Sequence, residues 1–260
     1  MPAGATSGSV LVCGLALACL TPALARADDA AALVQQARAA EARYDTTTAL
    51  GLFLRADAAR PNDPVILQKI SRQYSDATND TADVDEKKRL CTLALDYARR
   101  ATALAPDDPV NQLSVAICYG KLGFYSDART KVEYSRLVKS HAERALALDP
   151  NYDYAHHVLG RWHYEVATLG LGARFIVRLV YGGLPPASTA EAVQHLRRAT
   201  ELAPRLPSHR IELGLALLAD GQRAAAKQTL EEALRLSPVE KHDPAAFERG
   251  REALRRLGES

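Results

Sequence analysis

A chain of 260 residues with 47% hydrophobic content has enough material for an extended hydrophobic core. Its 33 basic and 31 acidic residues leave a formal net charge of +2, so nothing global steers it toward nucleic acid or an anionic membrane. Four cysteines, at positions 13, 19, 91 and 118, show neither CxxC nor Cys/His spacing, and so give no sequence case for a metal site or a disulfide framework.

The chain opens on an apolar run, residues 10–20 (VLVCGLALACL), too short to span a bilayer. Small-residue sites follow at Ala23-Leu24-Ala25 and Ala25-Arg26-Ala27, ahead of Asp28-Asp29. This pattern predicts a signal peptide over residues 1–27, a mature chain of residues 28–260 without a transmembrane span, and a periplasmic or secreted location. No Lys or Arg precedes Arg26, a departure from the usual positive start, and a chain that kept this segment would be cytoplasmic. Cys19 offers a second reading as a lipoprotein anchor, although Ala16 stands where Leu is normally wanted. Cys91 and Cys118 fall on different predicted helices and read as two buried thiols.

The mature chain is periodic. An Ala-x4-Pro ending recurs five times, at Ala56/Pro61, Ala101/Pro106, Ala145/Pro150, Ala199/Pro204 and Ala233/Pro238. Seven residues before those alanines stand Ala49, Ala94, Val138, Ala192 and Ala226. Ten residues after the first four prolines come Ser71, Ala116, Gly160 and Gly214, all small. Small residues in fixed registers mark close helix–helix approach, and the prolines stop each second helix. Residues 205–238 give the unit without insertion: two amphipathic helices about the turn Asp220-Gly221, over about 34 residues. This is a tetratricopeptide (TPR) unit. The predicted fold is an all-α TPR solenoid of about five helix pairs, with insertions between the helices of a pair.

Helix starts are equally legible. Asp63-Pro64 and Asp108-Pro109 place a carboxylate at the N-cap and proline at the first helical position. Asp153 is the expected N-cap of the fourth unit, and Ser188 with Glu191 the expected capping box before Ala192. Residues 243–257 (DPAAFERGREALRRL) predict a charged terminal helix that caps the solenoid.

Spacing of the repeat-ending prolines (45, 44, 54 and 34 residues) leaves insertions of 11, 10 and 20 residues in three successive repeats, all between first and second helix. Insertions confined to one edge are often binding surface; tolerated loop growth is the alternative, since length costs little. Residues 75–86 (SDATNDTADVDE) read as a polar loop, and residues 126–148 as one long helix. Residues 168–188 (TLGLGARFIVRLVYGGLPPAS) carry an apolar centre with Arg174 and Arg178, bracketed by glycines. Phe175, Val180 and Tyr181 are the candidate lid residues of this segment, expected to fold back over the edge of the solenoid.

The block from residue 156, HHVLGRWHYEVATLGLGARFIVRLVYGGLPPASTAEAVQHLRRATELAP, closely resembles the regulator of microtubule dynamics family. The matching features are Leu159-Gly160-Arg161-Trp162 with Tyr164, the apolar-basic segment, Pro185-Pro186 and Ser188-Thr189. DEKKRLCTLALDYARRATALAPDDP, KVEYSRLVKSHAERALALDPNYDYAHHVLG and the final SPVEKHDPA also fit, so the resemblance runs over about residues 30 to 258. It implies a helical TPR-like protein without a catalytic motif, with ties to microtubules, organelle membranes and, for part of the family, lipid. An exported chain does not meet tubulin, so the family name does not carry over as a function.

The concave groove of a TPR array is lined by its first helices. Counting from the prolines places Gln68 and Arg72, then Val110, Leu113 and Ile117, then Tyr154, His157, Arg161 and Tyr164, then Ile211, Leu215 and Leu218 along it. Of these, Arg72, Leu113, Ile117, Tyr154, His157, Arg161, Tyr164, Ile211 and Leu215 form the candidate partner groove. The fourth set is amphipathic and suits a peptide or an anionic head group; the apolar third and fifth sets suit an apolar ligand, or simply pack internally. His156, His157 and His163 span nearly two helical turns, too far for one ion, and Gly170-x-Gly172 lacks the rest of a phosphate loop. No cofactor motif and no convergent acid, base or nucleophile is found. The expected function is a non-enzymatic scaffold of the cell envelope that binds a protein or peptide and no nucleic acid; a lipid-binding or other apolar-ligand protein is the alternative.

Overall fold

The computed structural model describes residues 21–258, with side chains from residue 29 onward; the apolar run 10–20 lies outside the described residues. Among those described there are twelve helices and no strand. Five antiparallel pairs stack in chain order: α1 (Thr21–Glu41) with α2 (Thr46–Ala59), α3 (Pro64–Ala77) with α4 (Val84–Leu104), α5 (Pro109–Gly123) with α6 (Ala128–Leu148), α7 (Asp153–Ala167) with α9 (Thr189–Leu202), and α10 (Pro207–Ala219) with α11 (Arg223–Leu234). Helix α8 (Leu171–Tyr181) is inserted in the fourth pair, and α12 (Asp243–Gly258) closes the stack against α10 and α11.

The small-residue registers are the contacts that hold each pair. Ala49, Ala56, Ala101, Ala145, Ala192, Ala199, Ala226 and Ala233 have no accessible surface. A Cβ on Gly160 would lie 2.6 Å from Leu196 Cγ, and one on Gly214 would lie 2.5 Å from Leu230 Cγ. The Ser71 hydroxyl fills the same register and donates to Ala94 O at 2.8 Å. Each pair therefore packs with backbone nearly on side chain, which only a small residue permits.

Asp63 and Asp108 cap as expected, each accepting two backbone N–H groups with proline next in the chain. Ser188 accepts from Glu191 N, but its hydroxyl also donates to the Glu191 carboxylate, so the reciprocal bond goes to the side chain and not to the N-cap amide. Asp153 is not the cap of α7. Tyr152 holds that position, and the Asp153 carboxylate turns inward to accept from His209 Nε2 at 3.0 Å.

Insertions lie between the helices of a pair, as their spacing requires. Residues 75–86 are not a loop throughout: α3 continues to Ala77, and Asp83 caps α4 by accepting from Asp85 N and Glu86 N, so only residues 78–83 are irregular. The extra length becomes helix because Asp85 and Glu86 favour a first turn. Residues 128–148 are one uninterrupted helix. Cys91 and Cys118 are both free and buried, and burial pushes the Cys118 thiol up to about 12.

Candidate functional site

After α11 the chain does not leave the stack. Residues 235–242 cross the concave side and are tied to the first, second and fourth pairs. Tyr44 donates its hydroxyl to Val239 O at 2.8 Å. The Lys241 ammonium donates to Thr46 Oγ1 and, at 2.7 Å, to Asp80 Oδ2. The His242 Nε2 atom lies 2.9 Å from Asp76 Oδ1, and the Tyr154 hydroxyl donates to the Glu240 carboxylate. Asp243, fully buried, accepts from Val239 N at 2.7 Å and Glu240 N at 2.8 Å. These two hydrogen bonds to one carboxylate oxygen turn the segment at the start of α12, so the strap is held from within as well as from the groove.

Between this strap and the first helices of pairs one to four is a cavity of about 310 Å3. Val110, Leu113 and Ile117 give it an apolar wall on α5, and Tyr152 and Tyr154 an aromatic one. Glu41, Arg72, Asp76 and Lys121 supply charge. The Arg72 guanidinium stands 3.7 Å from Glu41 and 3.8 Å from Asp76, and makes no hydrogen bond among the described residues. Lys121 donates to Ser75 O at 2.6 Å and to Thr78 Oγ1 at 3.3 Å; burial pulls its pKa down, against the pull of Asp76. Burial alone would raise the Asp76 carboxyl, but the bond to His242 and the charges of His242, Arg72 and Lys121 hold it below its ordinary value. Burial, then Glu240, pushes the Tyr154 phenol well up. A wider depression of about 500 Å3 between Pro150, His156, His195 and Arg198 is formed by the α6–α7 turn and α9, outside the concave face.

Of the residues expected in the groove, Arg72, Leu113, Ile117 and Tyr154 meet in this one cavity. Leu113 contributes an edge only, being 1% exposed and part of the core with Ala142 and Leu159. The remaining five lie elsewhere. His157 faces His209, with Nδ1 atoms 2.9 Å apart. Arg161 donates to Glu165 at 2.8 Å and lies 3.7 Å from Glu212, which Arg249 also binds. Tyr164 packs beside the core of Val193 and Leu213. Ile211 is fully buried under α12 with Phe247, and Leu215 packs against the same cluster. The chain's own terminal helix thus occupies the fifth-repeat groove, because apolar concave positions at an open end need cover.

The insertion does not form a lid over this groove. Helix α8 packs beside α6, where Arg136 donates to Tyr181 O and Gly183 O. Phe175 and Val180 face solvent, and Tyr181 is half-buried. Of Tyr154, His157 and Arg161, which this segment was expected to cover, only Tyr154 is covered, and by the C-terminal strap.

With this geometry in view, comparison with known proteins is decisive for the family. The sequence matches the family described as Regulator of microtubule dynamics protein 1-3 over residues 33–258. The chain belongs to that family. It is 30% identical over 138 residues to regulator of microtubule dynamics protein 3 of Xenopus laevis, covering 53% of this chain and 30% of that protein. To protein 1 of Mus musculus it is 28% identical over 152 residues, 58% of this chain and 50% of the relative. The chain therefore spans half or less of the length of these curated relatives. The fold is shared with a thermophilic TPR protein of Thermus thermophilus, TTC0263, at a TM-score of 0.63 and 21% identity over 86% of this chain and 98% of that one. Among the described residues no helix is long and apolar enough to cross a membrane.

The block that carries the family resemblance is structural. Gly160 lets α9 approach α7, and Trp162, buried, donates to Ser135 O at 2.8 Å on the long helix α6. Sequence reasoning missed Glu41, Lys121 and the strap residues Val239, Glu240, Lys241 and His242. One signal pointed to the strap, the resemblance of SPVEKHDPA to the family's C-terminal end.

Proposed function

We propose that the protein is a non-catalytic scaffold of the cell envelope that receives an extended segment of a partner protein on its concave face, at the cavity between pairs one to four. The observation that carries this reading is the strap itself. An irregular stretch of eight residues is already held across the groove by side chains from three pairs, through a carbonyl, a carboxylate, an ammonium and an imidazole. A surface that holds its own chain in this manner has the chemistry to hold another. Placement in the envelope rests on the apolar run 10–20 and the small-residue sites that follow it.

The apolar wall of Val110, Leu113 and Ile117 favours a second reading, an apolar or lipid ligand beneath the strap. Its volume, about 310 Å3, stands near the lower end of small-molecule sites, on the order of 300–1,000 Å3. A photocrosslinking residue at Ile117 in the native host separates the two. Adducts with a defined protein, lost when that partner's segment is deleted, support the scaffold. A lipid adduct, matched by a lipid of the same mass in native mass spectrometry of the purified protein, selects the second reading and defeats the first.

A further inference from the structure

Helix α8 has no buried residue, alone among the helices of the stack that carry described side chains throughout. Leu171, Phe175, Ile176, Leu179 and Val180 are 55 to 85% exposed. At about 100° per residue these five share one half of the helix surface. Val177 and Tyr181, both half-buried, fall on the opposite side and face the stack. Arg174 and Arg178, one turn apart, lie at the border between the two. A contiguous apolar face of this kind is uncommon on a soluble protein without a role.

Its placement is fixed, not incidental. The Arg136 guanidinium of α6 donates to two carbonyls at the C-terminal end of α8, and Arg174 donates to Ala167 O at 2.8 Å and Val166 O at 3.3 Å at the end of α7. Gly182 and Gly183 both have positive φ (75° and 82°), and Gly183 N donates to Val177 O, so the helix ends in a tight left-handed cap that turns the chain back to α9. Helix α8 is therefore held by its two ends with its apolar face outward. Phe124, 68% exposed in the α5–α6 turn, lies on the same edge of the stack, where first helices turn into second ones.

Charge selects the occupant. Although the whole chain carries only +2, the stretch between Glu165 and Glu191 contains Arg174 and Arg178 and no acidic residue. Arg178 forms no ion pair among the described residues. An apolar half-face edged by arginines, on a short helix parallel to the protein surface, matches the interfacial region of a bilayer with anionic head groups: side chains enter the acyl boundary while guanidinium groups remain at phosphate depth. A second copy of this chain would present the same two arginines to its mate, a like-charge contact that disfavours self-association.

We propose that α8 is an interfacial docking helix that seats the protein on an anionic lipid surface through Leu171, Phe175, Ile176, Leu179 and Val180, with Arg178 at the head groups. This docking is independent of what the concave cavity binds.

The test is flotation of the full-length mature chain with vesicles of phosphatidylcholine alone and of phosphatidylcholine mixed with phosphatidylglycerol. Binding to the mixed vesicles, weakened by added salt, is expected. Phe175→Ser with Leu179→Ser removes it by at least about tenfold without changing the melting temperature, since neither side chain is buried. Arg178→Glu weakens binding to the mixed vesicles by roughly fivefold or more while keeping the apolar face intact. Absence of binding to the mixed vesicles overturns the proposal, as does binding that the double substitution leaves unchanged. A dimer in sedimentation that the double substitution turns into a monomer also overturns it, by assigning the face to a second copy.

Discussion

The imidazole of His242 and the carboxylate of Asp76, 166 residues apart in sequence, lie 2.9 Å from each other. Through that bond the chain after the last repeat reaches back to the second, and an open solenoid becomes a stack with a closed groove. The neighbouring bond from Lys241 to Asp80 spans 161 residues, and the one from Tyr44 to Val239 spans 195.

A first prediction follows for the strap. His242→Ala combined with Lys241→Ala removes its anchors on the second pair while Asp243 still shapes the bend. Exposed or half-exposed bonds of this type contribute roughly 0.5–1.5 kcal/mol each, so the loss of stability should be modest. Hydrogen exchange should quicken at residues 235–242 and stay unchanged in the buried alanine registers. Equal acceleration throughout the chain would show that the strap is a structural clasp and not a local cover.

Gly214 and Gly160 make a sharper test of packing. A Cβ at Gly214 would meet Leu230 Cγ at 2.5 Å, and one at Gly160 would meet Leu196 Cγ at 2.6 Å. Gly214→Leu should cost about 1–3 kcal/mol or more through overpacking, read as a lower melting temperature. Gly51 is the control. It lies inside α2 with nothing within 4 Å of an added Cβ, so Gly51→Ala should stabilise by roughly 0.5–1 kcal/mol through helix propensity. A Gly214 variant as stable as the parent would mean the α10–α11 approach is looser than the geometry states.

What the sequence made legible has a common physical character. The alanine registers, the caps Asp63 and Asp108, and the glycines at close approach all act within one helix pair, so their spacing survives in the primary structure. The strap's bonds to the groove and the histidine pairs His156–His195 and His157–His209 join residues 39 to 195 positions apart and have no period to betray them. Asp153 shows the limit at one residue: its spacing is right for a cap, but a buried His209 on α10 offered a stronger claim on the carboxylate. Ile211 and Leu215 kept their concave register, yet α12 covers them, and a periodic pattern cannot say which part of the chain returns to cover it. The signal-peptide boundary at residue 27 and the envelope location stand as proposals, tested by N-terminal sequencing of protein from the native host, which should begin near Asp28.

Histidines concentrate within the fourth pair, where His156 and His163 of α7 meet His195 of α9, and at its contact with the fifth, where His157 meets His209, and they set a pH dependence. His195 is pushed down to about 4 by burial, then by His156 at 3.0 Å and by His163, against the pull of Glu191. Burial also lowers His163, and burial with His209 beside it puts His157 well below its ordinary value. The folded chain thus keeps these rings neutral while the unfolded chain protonates near pH 6.5. Their contribution to stability is complete above about pH 6.5 and is lost as pH falls from there toward about 4. For half-buried His195 this amounts to on the order of 1–2 kcal/mol after allowance for solvent screening. Melting temperature should fall over that window, and His195→Gln should flatten the fall; an unchanged slope in the variant would place the acid sensitivity elsewhere.

Arg72 decides whether the cavity binds or merely exists. Its guanidinium lies between two carboxylates, at 3.7 Å from Glu41 and 3.8 Å from Asp76, and its side chain is 51% exposed into the groove. Each carboxylate has other partners. Glu41 also receives Lys69 at 2.9 Å and Gln73 at 2.9 Å, and Asp76 keeps His242. With the arginine half exposed, both contacts beyond hydrogen-bond length and each carboxylate otherwise bonded, the pairs contribute on the order of 1 kcal/mol, so Arg72→Ala should leave the melting temperature within a few degrees of the parent. A guanidinium without a hydrogen bond among the described residues, beside the apolar wall of Val110 and Ile117, is instead available to a ligand carboxylate or carbonyl. The substitution should therefore reduce crosslinking from Ile117 several-fold while the fold persists, and Arg72→Lys should restore only part, because an ammonium cannot form the paired bonds of the guanidinium fork. Full crosslinking in Arg72→Ala would remove this residue from the site, and a large loss of stability would reassign it to the structure of the groove.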